Sequence, residues 1–174
     1  MKRFISRLSV TSIKVRRKAA LVLWAMVAAF GLSQMGAVIG KHYQFALNET
    51  ESLPHWAFVI DRERLQPARG EYFAFVPPAN PYYPAGFPFT KRVAGLPGDH
   101  VTISGRGYYV NGVYVGDAKP ADKAGRPVAM AAGGIIPTDR YFLVTPSKDS
   151  LDSRYAVIGL IERKRLVGRA YPVM

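Results

Sequence analysis

Three short segments hold the residues whose types could do chemistry. Asn48-Glu49-Thr50-Glu51-Ser52-Leu53-Pro54 offers two hydroxyls just ahead of a proline. Lys91-Arg92-Val93-Ala94-Gly95-Leu96-Pro97-Gly98-Asp99 opens on a lysine. Ser147-Lys148-Asp149-Ser150-Leu151-Asp152-Ser153-Arg154-Tyr155 sets serines among charges of both signs. A serine hydroxyl is a poor nucleophile at neutral pH and needs a base beside it. A lysine serves as that base only when neutral, and desolvation lowers its pKa toward roughly 7–8 in catalytic cases. Lys91 lies in Phe87-Pro88-Phe89-Thr90-Lys91-Arg92-Val93-Ala94, an apolar strand pattern able to bury it. A serine and a lysine brought together can run acyl transfer. Taken one at a time, the segments also have plainer readings. Ser52-Leu53-Pro54 suits an ordinary turn, Lys91 beside Arg92 suits a solvated edge strand, and Asp152 with Arg154 suits a surface pair of little energetic value. Leu96-Pro97-Gly98-Asp99 reads as a turn in which Gly98 supplies a positive φ.

Other chemistries find no support. His42, His55 and His100 are scattered and lack metal spacing, and there is no cysteine for a thiolate, a disulfide or a zinc site. No metal or cofactor is expected. Composition leaves a Ser-His-Asp triad open, but there is no P-loop, dinucleotide fingerprint or nucleophile elbow. The formal charge is +12, from 24 basic and 12 acidic residues. Seven of the bases fall in the first 18 residues, which hold no acid, so 24 less 7 leaves 17 bases against 12 acids downstream, or +5. The high charge is therefore largely that of one arm, and a nucleic-acid partner is not expected.

The elements that must position these side chains follow from hydropathy and turn chemistry. Residues 1–18 form a basic arm. Residues 19–40 carry no charge, and a helix of that length spans roughly 33 Å, enough for a membrane core. The charge bias predicts a cytoplasmic N-terminus and export of residues 41–174. The basic arm also suits anionic headgroups of the membrane lipid. A retained anchor fits the length better than a cleaved signal peptide, although Val38-Ile39-Gly40 imitates a cleavage site. Beyond it, frequent Gly and Pro punctuate short Tyr-, Phe- and Val-rich runs, the pattern of a mainly β domain. Strands are predicted at Ala57–Ile60, Glu71–Val76, Phe89–Ala94, His100–Ile103, Tyr108–Val110, Val113–Val115, Arg140–Val144 and Ala156–Ile161. Asn111-Gly112 predicts a tight type I′ hairpin between two of them. Pro77 to Pro84 reads as a stiff loop, and residues 116–137 as a second, mobile one.

In this order, behind an N-terminal anchor, the three segments resemble those of type I signal peptidases, the membrane-anchored Ser-Lys proteases. The resemblance covers roughly residues 19–165. Its sharpest parts are the K-R-x-x-G-x-P-G-D match at Lys91–Asp99 and the S-x-D-S-R match at Ser150–Arg154. It implies an antiparallel β domain with one transmembrane helix in the bacterial inner membrane, the catalytic domain lying on the exported side. It implies Ser52 as nucleophile and Lys91 as general base, with Thr50 and the Ser52 backbone N–H holding the oxyanion. Ser150 would orient the lysine, and Asp152 with Arg154 would form a supporting ion pair. The pattern N-x-T-x-S-x-P at Asn48, Thr50, Ser52 and Pro54 is similar to the conjugative-transfer TraF-type branch, with Trp56 departing from the usual glycine. That branch implies an exported protein precursor, a pilin subunit, as substrate, and either hydrolysis or transpeptidation as outcome. The alternative is a tethered β-domain scaffold of a pilus or secretion assembly, without catalysis. A self-cleaving LexA-type repressor shares a Ser-Lys pair, but it needs a DNA-binding domain and no membrane span.

Overall fold

The computed structural model describes residues 2–48 and 53–173, with the side chains of residues 2–16 outside that description. The chain divides into two units, Met1–Lys41 and His42–Met174. The first is nearly all of one helix, α1 (Lys2–His42). Helical geometry thus runs unbroken from the basic arm into the apolar segment, with no glycine-proline break between them. Its part from Arg17 to His42 is 26 residues long and apolar enough to cross a membrane. Large apolar side chains such as Leu21, Trp24, Phe30 and Met35 are exposed there, which suits a lipid surround.

The described strands of the second unit all pair antiparallel. Its strands are β1 (Tyr43–Leu47), β2 (Ala57–Asp61), β3 (Tyr72–Phe75), β4 (Phe89–Gly95), β5 (His100–Ser104), β6 (Gly107–Val110), β7 (Val113–Asp117), β8 (Gly134–Ile135), β9 (Arg140–Val144), β10 (Ile161–Glu162) and β11 (Leu166–Pro172). Seven form one sheet in the order β1-β2-β11-β3-β4-β9-β10, and four form a smaller sheet in the order β7-β6-β5-β8. The hairpin at Asn111-Gly112 forms as its turn chemistry requires. Both residues have positive φ, 48° and 79°, and Val110 pairs with Val113. The Leu96–Asp99 turn places Gly98 at φ 87°.

β9 shows how the sheets share a core. Tyr141 and Leu143 face one side, with Phe73, Phe75, Phe89 and Val93. Phe142 and Val144 face the other, with Val101, Tyr108, Val110 and Ile136. A strand buried on both faces reads as a continuous apolar run rather than an alternating one. β4 alternates instead. Phe89, Lys91, Val93 and Gly95 are buried, while Arg92 is exposed, because successive strand residues face opposite sides. Phe73 of β3 lies directly opposite Lys91.

The predicted strand Ala156–Ile161 is corrected. That stretch is turn, and only Ile161 joins a strand, β10. The amides of Ile158 and Gly159 both donate to the Tyr155 carbonyl, at 2.9 and 2.8 Å, and Gly159 has φ 59°. The apolar residues there fill the core from a turn: Ile158 is buried with Phe73 and Phe89. Residues 116–137, expected as one mobile loop, include the end of β7 and all of β8, and the irregular stretch between these strands is tied down. Ala131 N donates to Arg154 O and Ala156 N to Ala129 O, and the Tyr108 hydroxyl bonds Ala131 O at 2.6 Å.

β11 was absent from the sequence expectations, yet it lies between β2 and β3. Its register slips between Leu166 and Gly168. A Cβ at Gly168 would sit 2.1 Å from the Asp61 carbonyl oxygen and 2.7 Å from its carbon. Backbone cannot swing aside as a side-chain tip can, so Gly168→Ala should destabilise the protein by about 1–3 kcal/mol or more. Thermal melting of the full chain checks this; an unchanged melting temperature would mean that β2 and β11 separate freely there.

Candidate active site

Lys91 is brought to the site by the alternation of β4. Its side chain is 6% exposed, and its Nζ donates to Ser150 Oγ at 2.7 Å. The Phe89 ring centroid is 5.4 Å from the same nitrogen. Burial disfavours the ammonium and lowers the Lys91 pKa from 10.5 to about 8. The Asp152 carboxylate pulls it back up, and the Arg154 guanidinium pushes it down. Desolvation therefore outweighs the Asp152 carboxylate, and the lysine can shed its proton close to physiological pH.

The segment after β9 supplies Ser150 and is held by a buried ion pair. Arg154 and Asp152 are 1% and 0% exposed, with Nη2 to Oδ2 at 2.7 Å and Nε to Oδ1 at 2.8 Å. This planar, two-point contact is the geometry arginine favours with carboxylates. Arg154 also donates to the carbonyls of Asp117, Thr145 and Ser147 at 2.9, 3.3 and 3.1 Å. Asp152 Oδ2 in turn accepts from the Thr145 amide at 3.2 Å. The pair thus stitches the chain on both sides of Ser150. It is not the exposed surface contact that Asp152 and Arg154 would make in isolation.

The turn that follows β4 is fixed by Asp99. Its Oδ2 accepts from the Leu96 amide at 2.6 Å and from Arg69 Nη2 at 2.7 Å, and its Oδ1 from Asn111 Nδ2 at 2.7 Å. Burial alone would raise the Asp99 pKa, but these donors hold it below the ordinary carboxylate value. The carboxylate thereby ties the end of the Lys91 strand to the Asn111-Gly112 hairpin.

Lys91 and Ser150 line a cleft of about 1160 Å³. β1 forms part of its wall, with Tyr83 and Phe87 from the loop before β4, Phe89 of β4 and Tyr155. Lys119 pairs with Asp149 at its edge, and Arg126 lies over the Tyr82 ring. The sequence reading omitted β1, so this wall was missed. The alternation of Tyr43, Phe45 and Leu47 with smaller or polar residues was the available signal.

Lys91, Ser150, Asp152 and Arg154 therefore meet in one place. Thr50 and Ser52 lie outside the described residues. Both flanks of their segment are described. Asn48 Nδ2 donates to Leu53 O at 3.0 Å and to His55 O at 2.8 Å, and Asn48 N donates to Trp56 O at 2.8 Å. Among the described residues no group of His, Asp or Glu side chains could hold a metal ion.

Comparison with known proteins sets this geometry in a family. The chain is 30% identical over 173 residues to the conjugal transfer protein TraF of Agrobacterium fabrum, covering 90% of this chain and 96% of that one. It is 36% identical over 111 residues to a Synechocystis protein named "Probable signal peptidase I-2". That match covers 60% of this chain and 47% of the cyanobacterial one, so it spans about half of the latter's length. The family model described as signal peptidase, peptidase S26 matches residues 16–174, and the chain belongs to that family.

Proposed function

We propose that this protein is a membrane-anchored serine endopeptidase that processes exported precursors with a Ser52-Lys91 dyad. Neutral Lys91 takes the Ser52 hydroxyl proton as Oγ attacks the scissile carbonyl. Thr50 Oγ and the Ser52 backbone N–H stabilise the resulting oxyanion. The intermediate collapses by losing the leaving amine, which takes the proton from the Lys91 ammonium, and Ser52 is left as an ester. Water, deprotonated by Lys91, then attacks that ester, and the proton returns to the Ser52 oxygen. An amine in place of water gives transpeptidation. Ser150 orients the lysine, and the Asp152–Arg154 pair supports the Ser150 segment.

The observation that carries this reading is the buried Lys91 in the cleft, with Nζ 2.7 Å from Ser150 Oγ and its pKa lowered to about 8. A structural lysine gains nothing from such burial, whereas a general base needs it. The apolar helix supports a single-pass anchor in the inner membrane, with residues 41–174 on the exported side. The conjugal transfer relative supports a role in conjugal transfer, and the proposed precursor is a pilin subunit. The test is to incubate the full chain in membranes with small secreted precursors encoded beside it, and to read products by mass spectrometry. Loss of a defined leader, by cleavage or by joining of new termini, is expected. Intact precursors, with the enzyme folded, would contradict the proposal.

A further inference from the structure

We propose that Asn48 is a positioning residue that holds the two flanks of the Ser52 segment together before substrate arrives. The inference rests on the reading of Ser52 as the nucleophile. Asn48 directly follows β1, the edge strand of the larger sheet, and lies in the cleft wall. Its amide nitrogen has two hydrogens, and both are used, on the carbonyls of Leu53 and His55. Carbonyl oxygens only accept, so the NH2 group must face them, and this fixes the orientation of the side chain.

The far flank is anchored independently. Leu53 is buried among Phe58, Ile60, Ala74 and Ala170. The His55 ring meets Phe58 and Tyr72 edge-on, with centroids 5.8 and 5.7 Å apart. Pro54 stiffens the backbone between these two anchors. What Asn48 adds is the tie from this anchored flank back to β1. Ser52 is covalently joined to Leu53, so the tie restricts where the nucleophile can go. Displacing a reacting atom by about 1 Å can cost roughly a hundredfold in rate. Aspartate has the same shape but no donors, and its charge would face two carbonyl oxygens.

The experiment compares Asn48→Ala, Asn48→Asp and Ser52→Ala in the membrane-embedded full chain against one precursor. It reads kcat, KM, the pH midpoint of cleavage, the melting temperature and amide exchange across residues 49–55. For both Asn48 variants kcat should fall about tenfold to a hundredfold, with KM changed less than about threefold. The midpoint should stay near the Lys91 value of about 8, because burial of the lysine is untouched. Exchange across residues 49–55 should quicken while melting changes little. A general loss of structure would instead lower melting and move the midpoint as Lys91 became hydrated. Ser52→Ala inactive with Asn48→Ala at wild-type kcat would overturn this inference alone. Ser52→Ala fully active would overturn the nucleophile reading and this inference with it. If neither Asn48 variant folds, Asn48 serves folding, and the positioning role is likewise overturned.

Discussion

Lys91→Met should abolish precursor cleavage and, at neutral pH, make the protein more stable. Activity should fall roughly a thousandfold or more, because the variant lacks the amine that takes the hydroxyl proton. Stability should move the other way. The folded Lys91 pKa of about 8 lies below the ordinary 10.5, so between these values the unfolded chain binds more protons and stability rises with pH. Below the folded value both states are protonated, and the native state carries a desolvated ammonium. The shift of about 2.5 units corresponds to a penalty on the order of 3 kcal/mol. That penalty shrinks as pH climbs through about 8 and is gone above the unfolded value. Methionine keeps most of the chain length and has no charge to desolvate. The Lys91→Met melting temperature should therefore exceed wild type at neutral pH and lose its rise across that window. Lys91→Arg should be equally inactive, since a guanidinium does not deprotonate in this range. Arg92→Ala is the control: Arg92 is exposed and donates to Gly70 O at 3.2 Å, so much activity should remain. Cleavage and melting measured on the same samples would decide it. An inactive Lys91→Met with reduced stability at neutral pH would mean that the ammonium is well solvated or well paired.

Arg154→Met should be the most destabilising single change at the site. It strands the Asp152 carboxylate, which is fully buried. Breaking such a pair from one side costs about 3–5 kcal/mol, whereas replacing both partners with apolar or neutral groups costs far less. Asp152→Asn combined with Arg154→Met should accordingly recover part of the loss in a urea-unfolding cycle. The Arg154 change should also alter catalysis in a stated direction. Arg154 lowers the Lys91 pKa and Asp152 raises it. With the guanidinium gone, the carboxylate acts unopposed and the pH midpoint should move upward. An additive cycle and an unmoved midpoint would make the pair a passive part of the core.

Much of this was legible in the residues, for reasons that differ by segment. The Asn111-Gly112 hairpin was readable because two positive φ values in a row leave few residue choices. β4 was readable because its alternation is local. β11 was not, because Gly168 and Pro172 break its pattern, and its place between β2 and β3 depends on pairing with residues about 100 positions earlier. Ala156–Ile161 misled because an apolar run fits a buried turn as well as a strand. At the site, the lysine, its serine partner and the ion pair carried a family spacing that made them visible. The Asn48 tie showed only as a letter in that pattern, since its partners are backbone carbonyls, which leave no mark in a sequence. The β1 wall of the cleft did carry a local signal, the alternation of Tyr43, Phe45 and Leu47.

The most direct test of the account is the pH dependence of precursor cleavage by the membrane-embedded full chain, measured for wild type and Lys91→Met across roughly pH 6 to 10. For wild type, kcat/KM should rise about tenfold per pH unit at the acid end and level off above a midpoint near 8, where Lys91 becomes neutral. Lys91→Met should stay at background throughout. A wild-type rate that is flat across the range, or cleavage by Lys91→Met within tenfold of wild type, would contradict a Ser52-Lys91 mechanism.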